Sequence, residues 1–538
     1  MRNIFFLILS CFCLLSVHAQ NETSKDHISL AGIWNFKLDP LNVSIPVKGS
    51  NFVSKFPEEI TLPGSTDQAG KGFKTQDMSS LRLTRMFEYS GAAWYEKENI
   101  FIPESWKDQQ LFLFLERVHW ESQVWINGKF VGKEESLSTP HLYDITSCVK
   151  FGDWNTVRIR VDNGNIHDIA YTHAISAETQ TNWNGIIGRM EIQAVSKVHI
   201  ADVQIYPLQK EKRLKIVAQI ANYSNLPVKG DIRINCHFLN DSQDLHLKEK
   251  NTTFDSSDSL IHLVHYYDLG DKLYTWDEFE PNLYKIEYEI KCCGKSDVRK
   301  IKFGIRDFGT KGTHFTINDI PTFIRGAVNS CEFPITGYPP MGYEEWKKVM
   351  NVYKDYGLNC IRFHSWCPPE SAFQVADELG LYLQVENSDW RFTVGEDEAT
   401  NAFYLDEAQR IFKEYGNHPS FAFFCEGNEL VGKGCVDFLK EMLTEWKKDS
   451  RHLYVAASGY PTVEGSDFFD FYGARPQRWQ EGLKGRFNSQ PLNTRYDYID
   501  YVKKFSIPMV THEIGQWCAY PDFNQISKYI GVLKPYNY

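Results

Sequence analysis

The chain has 538 residues, 42% of them hydrophobic and 14% aromatic, and a formal net charge of −11. This length implies about two to four globular domains. The acidic balance argues against nucleic acid, which wants a basic stripe. After the first twenty residues no apolar run is long enough to span a membrane.

The first segment reads as an export signal. Met1-Arg2-Asn3 is a short basic start, Ile4 to Val17 is almost wholly apolar, and Val17-His18-Ala19 offers small residues for cleavage after Ala19. The expectation is a signal peptide over 1–19 and a periplasmic or secreted protein. Cys11 lies early in the apolar run, so soluble export is favoured over a lipoprotein. Ten cysteines remain beyond the signal: Cys148, Cys236, Cys292, Cys293, Cys331, Cys360, Cys367, Cys425, Cys435 and Cys518. None forms a CxxC pair, which argues against a zinc site. Export permits disulfides, but the spacing names no pairing.

Residues 28–197 read as all-β. Gln110 to Val118 and Ser122 to Gly132 are strands, the second turning at Asn127-Gly128, a strong hairpin signal. Val157, Ile159 and Val161 alternate with Arg158, Arg160 and Asp162, as a half-buried strand does. Residues 198–308 form a second β-rich block, with clear alternation over Asn282 to Cys292, and suit an immunoglobulin-like sandwich. The adjacent Cys292-Cys293 cannot serve as an inter-sheet bridge.

From 309 to 538 strands and helices alternate. Pro321 to Val328 is strand-like, and Trp346, Val349, Met350 and Tyr353 follow at helical spacing, ending at Gly357. Strand segments recur at "LNCIRFHS", "LYLQVEN", "FAFFCEG", "LYVAAS", "FFDFYG" and "IPMVTHE", which makes seven. Such alternation predicts βα units around a parallel sheet, and a closed barrel of this kind has eight strands. The stretch Phe421 to Cys425 is apolar throughout, as a strand buried on both faces is, and stops at Glu426-Gly427-Asn428-Glu429. Ile507 to Val510 is a second such run, ending in Thr511-His512-Glu513. Polar residues at the C-terminal ends of barrel strands read as catalytic. Two glutamates there are what a glycosidase needs, one to protonate the leaving oxygen and one to attack the anomeric carbon or activate water. The bland alternative is a pair of solvated loop acids.

On these residues the mature chain resembles glycoside hydrolase family 2, the family of β-galactosidases, β-glucuronidases and β-mannosidases. The likeness runs through "AWYEKENIFIP", "VWINGKFVG" and "WNGIIGRMEI", then "EPNLYKIEYEI", then "FIRGAVN", "NCIRFHSWCPPESAFQVADELGLYLQVE" and "NHPSFAFFCEGNE". It implies a galactose-binding-like jelly-roll β-sandwich over 28–197, an immunoglobulin-like β-sandwich over 198–308, and a catalytic (β/α)8 TIM barrel over 309–538. Glu429 matches the family's acid/base, Asn428 the amide that binds the sugar 2-hydroxyl, and Glu513 the nucleophile on the seventh strand. Arg362 matches an arginine that steadies the nucleophile, and Tyr472 a tyrosine beside it. His364 would face the pocket by strand alternation, with a structural histidine as the competing reading. Trp517 could floor a sugar ring, while Glu386 and Asp389 could meet hydroxyls or simply be solvated. His512 departs from the family's usual neighbours of the nucleophile and has no assigned role.

Glu513 lies close to the last residue, Tyr538, so the expected barrel is incomplete, lacking its last βα unit. The resemblance thus implies a retaining exo-β-glycosidase acting on an oligosaccharide or glycan, β-galactosidase-like first, with a β-glucuronidase or β-mannosidase as alternatives. A catalytically impaired carbohydrate-binding protein is the alternative of another class. The two-carboxylate mechanism calls for no cofactor and no metal ligand is assigned, though some family members hold a divalent metal near the acid/base. Assembly into a homo-oligomer is left open.

Overall fold

The computed structural model describes residues 26–44, 55–75, 82–176, 179, 181–239, 245, 247–471, 499–514 and 520–538. The proposed signal segment, Tyr472, Trp517 and Cys518 lie outside the described residues.

The first block is a sandwich of a five-stranded and a six-stranded antiparallel sheet. The Asn127-Gly128 turn joins two of its strands, with Ile126 opposite Lys129. Alternation sends Leu111, Leu113, Leu115, Val157, Ile159 and Val161 into one apolar core. Arg160, on the opposite face of its strand, is nevertheless buried, because Glu121 (3.0 Å), Asp162 (2.5 Å) and Asn42 close over it. The second block pairs a three-stranded with a four-stranded antiparallel sheet around Ile216, Ile220, Ile232, Tyr284 and Ile286. This is the two-sheet packing expected of an immunoglobulin-like sandwich.

A three-stranded meander over Phe308–Lys311, His314–Ile317 and Ile320–Thr322 leads into the last region. There β1 (Gly326–Asn329), β2 (Cys360–Phe363), β3 (Tyr382–Asp389), β4 (Phe421–Gly427) and β5 (Leu453–Val455) pair in parallel, in chain order. The chain continues β5 at Ser458–Gly459, which pairs in parallel with β6 (Phe469–Phe471), and β6 pairs with β7 (Met509–Thr511). An Asn428–Ser458 bridge joins the two sheets. Helices α1 (Tyr343–Asp355), α2 (Glu370–Leu379), α3 (Glu398–Tyr415) and α4 (Cys435–Trp446) connect the strands. The described residues contain no eighth parallel strand.

Period-two alternation divides each strand into two faces. Ile361, Phe363, Leu383, Val385 and Phe424 pack against the helices. The other face is layered. Cys360, Tyr382, Phe423, Val455 and Phe468 pack against Phe308 and Phe315 of the meander, closing its N-terminal end with apolar rings. Two residues further along the same faces come Arg362, Gln384, Asp470 and, from Val510, His512. All four are buried and polar.

The blocks are tied together by buried polar contacts. Arg117 of the first sandwich donates to the Cys367 carbonyl at 3.0 Å, and the Leu137 amide donates to Glu407 of α3 at 3.0 Å. From the second sandwich, the Ile205 amide donates to Asn417 at 2.8 Å, and Arg306 donates to the Pro419 and Phe421 carbonyls at 2.6 and 2.7 Å. The start of β4 is thereby anchored to the second sandwich. Among the described residues no helix is long and apolar enough to cross a membrane.

Candidate active site

The end of β4 sets Asn428 and Glu429, and the end of β7 sets His512 and Glu513. Both glutamates hold left-handed backbone, φ 48° and 50°, a conformation that non-glycine residues take only where the surroundings impose it. The Glu429 amide donates to the Ser458 carbonyl at 2.8 Å, which fixes the first of these turns. Ligand-type atoms of Glu429, His512 and Glu513 all lie within 4.8 Å of one another. The two carboxylates therefore share one small space although they are far apart in the chain.

Three cationic or N–H groups surround Glu513. Arg362 Nη1 donates to Glu513 Oε1 at 3.2 Å, His364 Nε2 lies 3.2 Å from the same oxygen, and His512 Nε2 lies 3.3 Å from it. Burial alone would raise the Glu513 carboxyl, but the His364 hydrogen bond and the charges of His512 and Arg362 hold it well below the ordinary carboxylate range. His364 itself is lowered by burial and by Arg362, so a neutral imidazole donates from Nε2. Its Nδ1 then accepts, facing Ser365 Oγ at 3.1 Å and His173 Nδ1 at 2.9 Å. His173 comes from the first sandwich, and burial, with His364 and Arg362, carries it down to about 2.

Arg362 is the hub. Besides Glu513 it donates to Asn428 Oδ1 at 2.8 Å and to Glu386 Oε1 at 2.6 Å. Glu386 is 0% exposed and also accepts from the Ser365 amide at 2.6 Å. It is thus the buried counter-ion of Arg362, not a solvated loop acid or a group facing an open cleft. Alternation on β3 places it on the inner face, where sequence spacing alone could not show its partner. Asp389 is likewise buried, bonded to Arg391 at 2.9 Å, and its carbonyl accepts from the Asn428 amide at 3.0 Å. Glu426, also fully buried, accepts from Asn387 at 2.7 Å on the other side of the sheet. Burial and the neighbouring Asp389 raise it well above the carboxylate range.

Sequence reasoning gave His512 no role. It is 1% exposed and lies between the two candidate catalytic carboxylates, with Nε2 3.6 Å from Glu429. Its Nδ1 lies 3.6 Å from Asp470, which Ser458 and Gln384 hold by hydrogen bonds. Burial and Arg362 lower His512, but Asp470 and Glu429 outweigh them and raise it above the ordinary value. Burial raises Asp470, but His512 pulls it down to about 2. His512, drawn upward by Asp470 and Glu429, thus stands between the pair with a carboxylate behind it. Gly459 permits this approach: a Cβ there would stand 3.1 Å from both Glu429 Cγ and His512 Nε2, at φ +86°. The only available signal was that His512 shares the inner face of β7 with Val510. Glu429, His512 and Glu513 are also the one group among the described residues with metal-ligand spacing. A divalent cation there would compete with the His512 proton and mask Glu513.

Two family models match the chain: "Glycosyl hydrolases family 2, sugar binding domain" over residues 28–189 and "Glycosyl hydrolases family 2" over 198–306, together about half of it. The chain belongs to glycoside hydrolase family 2. Among curated relatives, a β-galactosidase of Priestia megaterium is 26% identical over 378 residues, covering 66% of this chain and 35% of the relative. A β-glucuronidase of Bacteroides fragilis is 23% identical over 465 residues, covering 81% and 61%. Among solved structures, a family 2 member from Bacteroides cellulosilyticus superposes with a TM-score of 0.69 at 17% identity, covering 90% of this chain and 66% of that one. Bacteroides uniformis β-glucuronidase gives 0.65 at 18%, covering 81% and 53%. The structural likenesses establish the fold. The chain spans about a third to three fifths of the length of these curated relatives.

Proposed function

We propose that the chain carries the catalytic pair of a retaining exo-β-glycosidase working by double displacement, with β-galactosides the first substrates to try. The observation that carries this is that one carboxylate oxygen of Glu429 and one of Glu513, at the ends of β4 and β7, lie within 4.8 Å of each other. Retaining enzymes need carboxyl groups about 5–5.5 Å apart, whereas inverting ones leave about 6.5–9.5 Å for a water. The charge arrangement supports the same roles. Glu513, kept ionised by Arg362, His364 and His512, suits a nucleophile. Glu429, beside it, is left as the proton donor to the leaving oxygen and then as the base that activates water. Because Arg362 occupies Asn428 Oδ1, the amide N–H2 is the end that remains to donate to a sugar hydroxyl.

The order of the seven parallel strands supports a (β/α)8 barrel as the parent architecture, with the last βα unit not among the described residues. The apolar run of residues 4–17 supports export to the periplasm or medium. Family relatives include both β-galactosidases and β-glucuronidases, so the sugar itself is a matter for assay. The deciding experiment is hydrolysis of β-galactosyl, β-glucuronyl and β-mannosyl substrates followed by proton NMR from the first turnover. The β-anomer of the released sugar should appear first. Initial release of the α-anomer would refute retention, and no turnover of any substrate would favour a carbohydrate-binding protein.

A further inference from the structure

Two histidines from different domains stand in line behind Glu513. His364 follows β2, and His173 lies in the first sandwich, between its strands Asp153–Asp162 and Gly185–Ser196. Their Nδ1 atoms are 2.9 Å apart, and His364 Nε2, across the ring, is 3.2 Å from Glu513 Oε1. Burial and Arg362 keep both imidazoles neutral, so each ring holds one proton. An ionised carboxylate only accepts, which puts the His364 proton on Nε2 and leaves its Nδ1 bare. Two bare nitrogens at 2.9 Å would set lone pair against lone pair. His173 therefore carries its proton on Nδ1 and donates it to His364.

The sandwich loop holds that donor in place. Ala170 bridges Trp390, Thr172 Oγ1 donates to the Ser365 carbonyl at 2.6 Å, and the His173 amide donates to Ser365 Oγ at 2.9 Å. The His173 ring stacks on Trp390, with centroids 5.7 Å and planes 19° apart, and Trp390 also meets the His364 ring at 4.9 Å. Ser365 Oγ lies 3.1 Å from His364 Nδ1 as well. A hydroxyl rotates to donate or accept with equal ease, so it selects no tautomer. The His173 N–H, on a ring that Trp390 holds, does select one.

We propose that His173 is a positioning residue for the nucleophile, pinning the ring and tautomer of His364 so that its Nε2–H points at Glu513. The proposal rests on the glycosidase reading of Glu513. His173 acts through His364 and needs no contact with the sugar. The catalytic strands supply His364, and the first sandwich decides which of its nitrogens carries the proton.

The test uses the full chain and two readouts. The first is the rate at which Glu513 is labelled by whichever of the galactosyl, glucuronyl and mannosyl 2-deoxy-2-fluoro fluorides reacts with the wild-type chain. His173→Phe keeps a ring on Trp390 but removes the donor, and should slow labelling by about tenfold, the scale of one hydrogen bond. His173→Asn, whose amide nitrogen takes the place of Nδ1, should restore most of that rate. In a His364→Gln background an amide N–H replaces Nε2–H and has no tautomer to choose, so His173→Phe should add no further loss. The second readout is nitrogen NMR of the histidine-labelled chain, with the His364 signals identified by their disappearance in His364→Gln. They should show a protonated Nε2 and a bare Nδ1, and His173→Phe should mix the two tautomers. Equal loss from His173→Phe with and without His364→Gln, equal damage from the asparagine and phenylalanine variants, or an unchanged tautomer would overturn the proposal. A tautomer that shifts as expected in a chain that takes no label and hydrolyses nothing would instead defeat the glycosidase reading and leave the histidine pair standing.

Discussion

The two sandwiches and the parallel strands bury their interiors in opposite ways. The first sandwich fills its centre with leucine, isoleucine and valine, and its buried charges, such as Arg160 and Glu121, lie outside that core. The inner face of the parallel strands is apolar only at its N-terminal end. Its upper layer holds Arg362, Glu386, Asp470 and His512, all buried. Burying charge is costly unless each group is paired, and apolar packing would stabilise the fold at least as well. The polar layer fits the catalytic role proposed for the strand ends better than any demand of folding. Substitutions in the two regions should separate stability from activity.

Activity should fall furthest when either carboxylate is changed. Glu513→Gln should abolish turnover, and Glu429→Gln should lower kcat/KM by about 10²–10⁴-fold on substrates with poor leaving groups. Azide should rescue the Glu429→Gln variant if that residue is the acid/base, and steady-state kinetics reads both. Arg362→Met should combine both kinds of damage. It strands Glu386 in a dry interior, a cost of about 3–5 kcal/mol by denaturant unfolding, and it removes one of the cations that hold Glu513 ionised. Gly459→Ala should lower kcat at nearly unchanged KM, since the new methyl pushes on Glu429 and His512.

His512→Gln should cost about 10- to 100-fold in kcat/KM, the scale of one charged hydrogen bond, and should reshape the pH profile. Glu513 is held below its ordinary value, so its ionised form persists below that value and is lost only as pH falls through the lowered one. Removing the His512 charge lets the Glu513 carboxyl rise, and the acid limb must move upward. His512 is raised, so its charge persists past the ordinary histidine value and is lost as pH climbs through the raised one. The variant should lose that basic-side inflection. In the sandwich, Leu113→Ala should cost about 2–5 kcal/mol of stability while the folded fraction keeps its kcat and KM.

Much of the site was legible because strand ends and alternation are local. Glu429, Asn428 and Glu513 close two apolar runs, and Arg362 and His364 follow by period two along one strand. What sequence could not show depends on neighbours from other elements. Glu386 reads in sequence as a group that meets sugar hydroxyls or as a solvated acid, because its partner Arg362 comes from β2. His512 acquires meaning only beside Asp470 of β6 and Glu429 of β4. Gly459 looks like any turn glycine until two side chains are found against it. His173 reaches the site from another domain, a distance no spacing rule spans. Tyr472 and Trp517 fall outside the described residues.

The central claim is that Glu513 is the nucleophile of a double displacement. The most direct measurement is incubation with 2-deoxy-2-fluoro glycosyl fluorides of galactose, glucuronic acid and mannose, followed by intact-mass and peptide mapping. One stable adduct is expected, on Glu513, that Glu429→Gln leaves possible and Glu513→Gln removes. An adduct on Glu429 or Glu386 would contradict the assignment. A hydrolytically active chain that accumulates no adduct with its own sugar would contradict the covalent mechanism itself.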